Sequence, residues 1–304
     1  MKKFKSNGKL LLTGEYLILD GALSIALPCN YGQSLEFSNN NDSIINWKSF
    51  NSNNDLWFYA LIESENLKLI ETNDQIKAEW LVEILQNAKD LSKNSTTLSG
   101  EFTSHLEFPN NWGLGSSSTL IVNIAKVLNI DPFELHFKCS NGSGYDIACA
   151  SSEDPLTYRI VNNKPEIKKI DWYPIFHEEL FFIHLNKKQN SKNEVKRYEN
   201  FKINPSFIKE ITDLSNEIIK CENLNNFEKL IEHHEKLISY CIKQDTVKNK
   251  YFSNYQGAIK SLGAWGGDFI LATRNDQEYF KQRGFRTILP FNKLIKTSSS
   301  KKSE

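Results

Sequence analysis

The sequence predicts an α+β fold made of two mixed layers, and three observations predict it. Short alternating segments with strand character are interspersed unevenly with helical ones. No regular strand–helix–strand repeat runs through the chain, which argues against an all-parallel α/β array. Two amphipathic helices follow one another directly in the second half. With 304 residues the chain can bury two modest cores. The junction Trp172-Tyr173-Pro174 places the expected boundary near residue 170, giving domains 1–170 and 171–304.

Lys9–Leu12 and Glu15–Leu19 read as short strands around a turn at Thr13-Gly14, and Ser24–Leu27 and Ser34–Phe37 continue the strand pattern. Residues 39–54 are polar and read as turns. Over residues 74–91 the recurrence of Ile76, Trp80, Ile84, Leu85 and Ala88 predicts a helix. Phe102, Leu106 and Phe108 alternate within a strand over 100–108, and residues 120–128 form an apolar helix. Beyond the junction the expectation is a strand over 179–185, helices over 206–221 and 226–242, and a strand over 269–273. A short helix over 277–282 and a strand over 287–290 complete it. In the second long helix Phe227, Leu230, Ile231, His234, Leu237, Ile238 and Cys241 follow the 3–4 spacing. The polar tail from Thr297 is expected to fray.

Composition narrows the function classes. The 37 basic and 37 acidic side chains balance, which argues against a general nucleic-acid binder. The N-terminal apolar stretches are broken by Thr13, Gly14, Glu15 and Asp20, so neither a signal peptide nor a membrane span is expected there or elsewhere, and the expected location is cytoplasmic. The five cysteines, Cys29, Cys139, Cys149, Cys221 and Cys241, contain no C-x-x-C and read as free thiols. The adjacent His233 and His234 point in different directions on a helix and form no ligand pair.

Four segments carry chemistry. Trp112-Gly113-Leu114-Gly115-Ser116-Ser117-Ser118-Thr119 lies between a strand and a helix. Its glycines allow close approach of an anion, and its helix start offers free N–H groups and hydroxyls. Taken alone, such a turn is more commonly a helix start capped by its serines. No Lys-Ser or Lys-Thr pair follows the last glycine, so it is not a Walker A loop. Lys9 with Gly14-Glu15-Tyr16 is the second segment. Asn141-Gly142-Ser143-Gly144-Tyr145-Asp146 is the third, an aspartate on a glycine-rich turn that can accept a proton from an attacking hydroxyl. Gly263-Ala264-Trp265-Gly266-Gly267-Asp268 is the fourth. Read singly, each of the last three is also an ordinary solvated lysine, Asx turn or tight turn.

In this order the four segments resemble the GHMP kinases, the superfamily of galactokinase, homoserine kinase, mevalonate kinase and phosphomevalonate kinase. Gly8-Lys9 and Gly14-Glu15 match its opening, Gly113–Ser117 its phosphate loop, and Ser143-Gly144-Tyr145-Asp146 its catalytic turn. Gly263–Gly267 matches its C-terminal glycine loop except at Trp265. The wording of GKLLLTGEYLILD and GSGYDIA is most similar to the phosphomevalonate kinase and mevalonate kinase branch. The resemblance implies an N-terminal domain like domain 2 of ribosomal protein S5, a ferredoxin-like C-terminal domain, and an ATP site in the cleft between them. It implies ATP and Mg²⁺ as cofactors and a small acidic, (phospho)mevalonate-like substrate, in a monomer or homodimer. Asp146 and Lys9 are the implied catalytic pair. Gly113, Leu114, Gly115, Ser116, Ser117 and Ser118 are the implied ATP contacts, with Ser117 on the metal. Glu15, Ser143, Lys188, Ser191, Gly263, Ala264, Gly266 and Gly267 are the implied substrate side. The glutamate that completes the metal shell in mevalonate kinases falls near Leu135, beside Glu134 and His136, where water would take its place. Trp265 either narrows the substrate side, stacks on a ligand, or blocks a site that has lost activity. The alternatives are thus a weakly catalytic nucleotide-binding homologue and a relative of mevalonate diphosphate decarboxylase.

Overall fold

The computed structural model describes residues 1–40, 42–92, 98–187, 204–263, 265 and 267–298. Contacts group the chain into two compact units. Unit 1 holds Met1–Gly8, Tyr31–Asn110 and Leu114–Ser151; unit 2 holds Lys9–Asn30, Asn111–Gly113 and Ser152–Glu304. They are therefore not consecutive halves of the chain, and strands β1 (Lys2–Leu11) and β2 (Ser24–Ser38) each contribute residues to both.

Unit 1 contains β3 (Ile44–Phe50), β4 (Leu56–Glu63), β5 (Leu69–Thr72), helix α1 (Gln75–Leu91), β6 (Gly100–Leu106), and helices α2 (Ser116–Leu128), α3 (Pro132–Cys139) and α4 (Tyr145–Ala150). Its sheet runs β5-β4-β3-β6-β2, antiparallel except for the parallel pair β3–β6. The strands turn Leu35, Ile45, Trp47, Phe58, Ile62 and Phe102 inward, with Trp47 stacked on Phe102 at 5.2 Å. Helix α1 packs against this face with Ala78, Leu81, Ile84, Leu85 and Ala88. Ile76, placed on the apolar face by its spacing, is 80% exposed, because the buried stripe begins at Ala78. Asp74 caps this helix by accepting the Lys77 N–H, which fixes its start. The region 39–54, read as turns, contains strand β3; its inward positions are Ile45, Trp47 and Ser49, and the polar third member blurs the alternation.

A buried hydrogen-bond chain ties helix α2 to the sheet. Thr119 Oγ1 donates to Gln33 Oε1 (2.6 Å), and Asn123 Nδ2 donates to the Gln33 carbonyl (2.9 Å). Ser6 Oγ donates to Asn123 Oδ1 (2.8 Å), and Ser104 Oγ donates to Ser49 Oγ (3.0 Å). Polar groups this deeply buried cost free energy unless paired, so these contacts fix the helix on β2 more specifically than apolar packing alone.

Unit 2 contains β7 (Leu156–Val161), β8 (Lys164–Lys169), β9 (Phe181–His184), helices α5 (Pro205–Lys220), α6 (Leu224–Ile242) and α7 (Val247–Tyr251), β10 (Ile259–Ser261), β11 (Phe269–Ala272), α8 (Gln277–Lys281), β12 (Ile288–Pro290) and α9 (Phe291–Leu294). Ser24, Ile25 and Ala26 of β2 pair with β7, which forms a hairpin with β8. A second antiparallel sheet has the order β10-β11-β9-β12. With α5 and α6 between its first and second strands in chain order, and α8 between its third and fourth, it is the ferredoxin-like arrangement. Two apolar clusters fill the unit. One joins Phe181, Ile183, Ile259 and Ile270 to Phe252, Tyr255 and Phe280; the other joins α5 and α6 to Tyr16, Leu17 and Ala22. Glu15–Leu19, expected as a strand, is instead a turn and a 3₁₀ helix at Leu17–Asp20. Tyr16 at φ 66° and Gly21 at φ 87° bound the 3₁₀ helix with positive φ, a conformation that an extended segment does not adopt. All five cysteines are free.

Candidate active site

The glycine- and serine-rich turn begins where β6 ends. Residues 111–113 are anchored in unit 2. The His184 ring Nε2 lies 3.0 Å from the Asn111 carbonyl, and the Trp112 ring meets Phe269 edge-on at 5.4 Å. Gly113 has φ 67°, and a Cβ there would stand 2.2 Å from the Asp268 carboxylate. A side chain is thus disfavoured at 113 both by the backbone and by a buried neighbour. In unit 1, a Cβ on Gly8 would lie 2.8 Å from the Tyr31 carbonyl and 3.1 Å from that of Leu114, so this glycine lets the turn lie close on β1.

Gly115, at φ 88°, is the N-cap of α2 and supplies no side-chain cap. Ser118 turns its hydroxyl back to the Gly115 carbonyl (2.8 Å) and Thr119 is engaged with Gln33, whereas Ser116 is half-buried and Ser117 exposed. The first-turn N–H groups of a 13-residue helix, with its dipole behind them, suit an anion. Ser118 therefore closes the turn rather than offering its hydroxyl to a ligand.

Asp146 is half-buried in the first turn of α4, after Gly144 at φ 85°, and its Oδ1 accepts the Ile147 N–H (3.0 Å). Helix α4 packs on α2 and α3 through Ile147 and Ala150, so the aspartate and the start of α2 are carried by helices in mutual contact. Ser143 is buried in the preceding turn. Lys9 is half-buried on β1 in unit 2, and its charge acts on Cys29, whose thiol burial pushes up.

The substrate-side set is only partly described. Lys188, Ser191, Ala264 and Gly266 lie outside the described residues. Gly263 has φ 67° with open space around its Cα, and Gly267 is buried. Asp268 closes the glycine loop: its N–H donates to the Lys187 carbonyl (2.7 Å), and its own carbonyl accepts the Leu185 N–H (2.8 Å).

Two readings change. Trp265 is 2% exposed and lies in the cluster of Tyr16, Leu17, Ile211, Leu214 and Ile238, and its backbone N–H donates to the Tyr16 hydroxyl (3.2 Å). The indole is a core anchor of unit 2, not a ligand platform or plug. Glu15, expected on the substrate side, is 1% exposed and ion-paired with Lys260, which also bonds Glu235 (3.0 Å) and the Ser261 carbonyl (2.6 Å). His234 Nε2 accepts the Gly14 N–H (2.9 Å) beside them, whereas His233 points outward to Glu210. Burial pushes Glu15 up to about 7 against the pull of Lys260, and raises Glu235 likewise. Burial and the Lys260 charge hold His234 well below the usual imidazole range. Sequence reasoning missed Lys260 and Glu235; the one signal was a lysine within the apolar run Ala258–Leu262.

For a metal, Glu15, His234 and Glu235 form the one grouping of three potential ligands among the described residues, and the Lys260 ammonium already bonds both of its carboxylates. Leu135 is fully buried and Glu134 exposed, while Ser117, at the head of α2, is an exposed hydroxyl.

A scan against family models gives no match, and neither does a search of curated proteins. Solved structures do match along nearly the whole chain. The *Methanococcus jannaschii* mevalonate kinase is 18% identical, with a TM-score of 0.66, covering 95% of this chain and 96% of that one. The *Streptococcus pneumoniae* phosphomevalonate kinase, solved with phosphomevalonate and AMPPNP, is 18% identical, with a TM-score of 0.69 and coverage of 93% and 95%. The *Lactococcus lactis* galactokinase, solved with galactose, is 12% identical, with a TM-score of 0.66 and coverage of 97% and 93%. From end to end, the chain has the fold of the GHMP kinases.

Proposed function

We propose that this chain is an ATP-dependent small-molecule kinase whose acceptor is a small acid of the mevalonate or phosphomevalonate type. The observation that carries the reading is the pairing of α2, whose first turn has no side-chain cap from Gly115, with α4, which packs on it and bears Asp146. The match to kinases over the full chain, one of them solved with an ATP analogue, supports it.

In this reading the N–H groups of Gly113, Leu114, Gly115, Ser116, Ser117 and Ser118 bind the ATP phosphates. Ser117 holds Mg²⁺, which neutralises phosphate charge when bound. The acceptor oxygen forms a bond to the γ-phosphorus as the bond to the bridging oxygen breaks, and ADP leaves with that electron pair. Asp146 takes the proton of a hydroxyl acceptor, and Lys9 offsets charge in the transition state. The glycine loop at Gly263–Gly267 with Ser143, Lys188 and Ser191 receives the acceptor.

Coupled ADP release with mevalonate, phosphomevalonate, diphosphomevalonate, homoserine and sugars tests the proposal. The expected result is acceptor-dependent release with one of the acids. Release only with a sugar, or release accompanied by carbon dioxide from diphosphomevalonate, would replace the acceptor or the reaction. ATP binding without release would favour the nucleotide-binding homologue.

A further inference from the structure

The most deeply buried charges in unit 2 have no part in the proposed chemistry. Three elements meet at Lys260 of β10: the Gly14–Glu15 turn through Glu15, helix α6 through Glu235, and the end of β10 itself through the Ser261 carbonyl. These satisfy all three ammonium hydrogens. Glu235 Oε2 accepts the Ser261 hydroxyl (3.1 Å), so it too is engaged. The Glu15 Oε2 atom is buried without a hydrogen bond, 3.5 Å from His234 Nε2. The turn is held further by Thr13, whose Oγ1 accepts the Ile25 N–H (2.8 Å) and pairs with Ser215 of α5 (2.7 Å). Gly263 begins two residues beyond Ser261, and Trp265 returns to Tyr16.

We propose that Lys260, Glu15 and Glu235 form a positioning cluster that holds the Gly14–Glu15 turn, helix α6 and the end of β10 as one piece and carries a single exchangeable proton shared by the two carboxylates. The groups facing Glu15 are Lys260, Glu235 and neutral His234; His233, the next charge along α6, faces outward to Glu210. With both carboxylates ionised, one ammonium faces two negative charges at 0% exposure, a net charge the interior does not tolerate well. One proton restores neutrality. The upward push on both Glu15 and Glu235 agrees with this. Proton loss leaves repulsion across Lys260 that loosens the turn from α6 and the end of β10.

Infrared difference spectra of the full chain, titrated from about pH 5 to about pH 9, read the carbonyl band of a buried protonated carboxyl. The band is expected to fall from about nine-tenths of its amplitude one pH unit below a near-neutral midpoint to about one-tenth one unit above it. Glu15→Gln and Glu235→Gln are each expected to abolish it, because the remaining carboxylate then faces Lys260 alone and stays ionised. Absence of the band in the wild type, or its persistence in either variant that folds, overturns the shared proton. The positioning role rests on the kinase reading: kcat for ADP release follows the band in the wild type while KM for ATP does not, and the inflection disappears in the variants. An inflection unchanged in a variant overturns the positioning role. No ADP release with any acceptor sinks the kinase reading alone and leaves the infrared result to decide the proton site.

Discussion

Asp146 and Gly113 are the two residues on which the proposed chemistry leans most. An alcohol must lose its proton near the transition state, so Asp146→Asn is expected to lower kcat by about 10²–10⁴-fold with an alcohol acceptor. A phosphate acceptor is already largely dianionic at neutral pH, and the loss with it should be smaller. Steady-state ADP release with the two acceptor types checks this; equal, small losses would remove Asp146 from the chemistry. Gly113→Ala meets both a left-handed backbone and the Asp268 carboxylate at 2.2 Å. It is expected to cost about 1–3 kcal/mol in urea unfolding and to weaken ATP binding. A variant as stable as the wild type would show that the turn relaxes freely.

Among the elements of unit 2, Trp265 joins the cluster that α5 and α6 form with Tyr16 and Leu17. Trp265→Ala should cost about 3–5 kcal/mol, because it empties a site walled by Tyr16, Leu17, Ile211 and Ile238. Ile76→Lys, on the exposed start of α1, should stay within about 0.5 kcal/mol of the wild type. Thermal or urea unfolding of the two variants distinguishes a core anchor from a surface residue, and a small loss at Trp265 would contradict the packing described. Helix α1 was legible from sequence because its buried residues, from Ala78 to Ala88, are all apolar, and α6 and β6 were legible despite buried Glu235 and Ser104 because enough apolar positions keep the period. Strand β3 was not, since one of its inward positions is Ser49, bonded to Ser104 of β6. The Glu15–Leu19 segment misled for another reason. Its conformation is set by His234, Ser215 and Lys260, about two hundred residues away, and local propensity does not report such partners. The candidate site divides similarly: Gly113–Ser117 and Asp146 were visible as motifs, whereas Lys260 was a single lysine between apolar neighbours and Glu235 one charge among several in Glu232–Lys236.

At the scale of the whole molecule, the cluster makes stability depend on pH through two opposing groups. His234 is held neutral in the fold, while the unfolded chain binds a proton there below about 6.5. Its contribution is therefore present above that pH and lost as pH falls. Glu15 has the opposite sign. Raised from 4.5 to about 7, it binds a proton more tightly when folded, so its contribution declines as pH rises through that window. Between about pH 4.5 and about pH 6.5 the two slopes cancel. Glu15→Gln leaves His234 alone, and its stability should rise relative to wild type by up to about 1.4 kcal/mol per pH unit there. Parallel curves from urea unfolding would contradict this assignment.

The central claim is that the start of α2 grips a triphosphate that Asp146 faces. A crystal structure of the full chain with a non-hydrolysable ATP analogue and Mg²⁺ tests it most directly. The account predicts phosphate oxygens on the amides of Gly113–Ser117 and the Asp146 carboxylate turned toward the terminal phosphate. A nucleotide bound elsewhere, or an Asp146 side chain turned away from that phosphate, would contradict it.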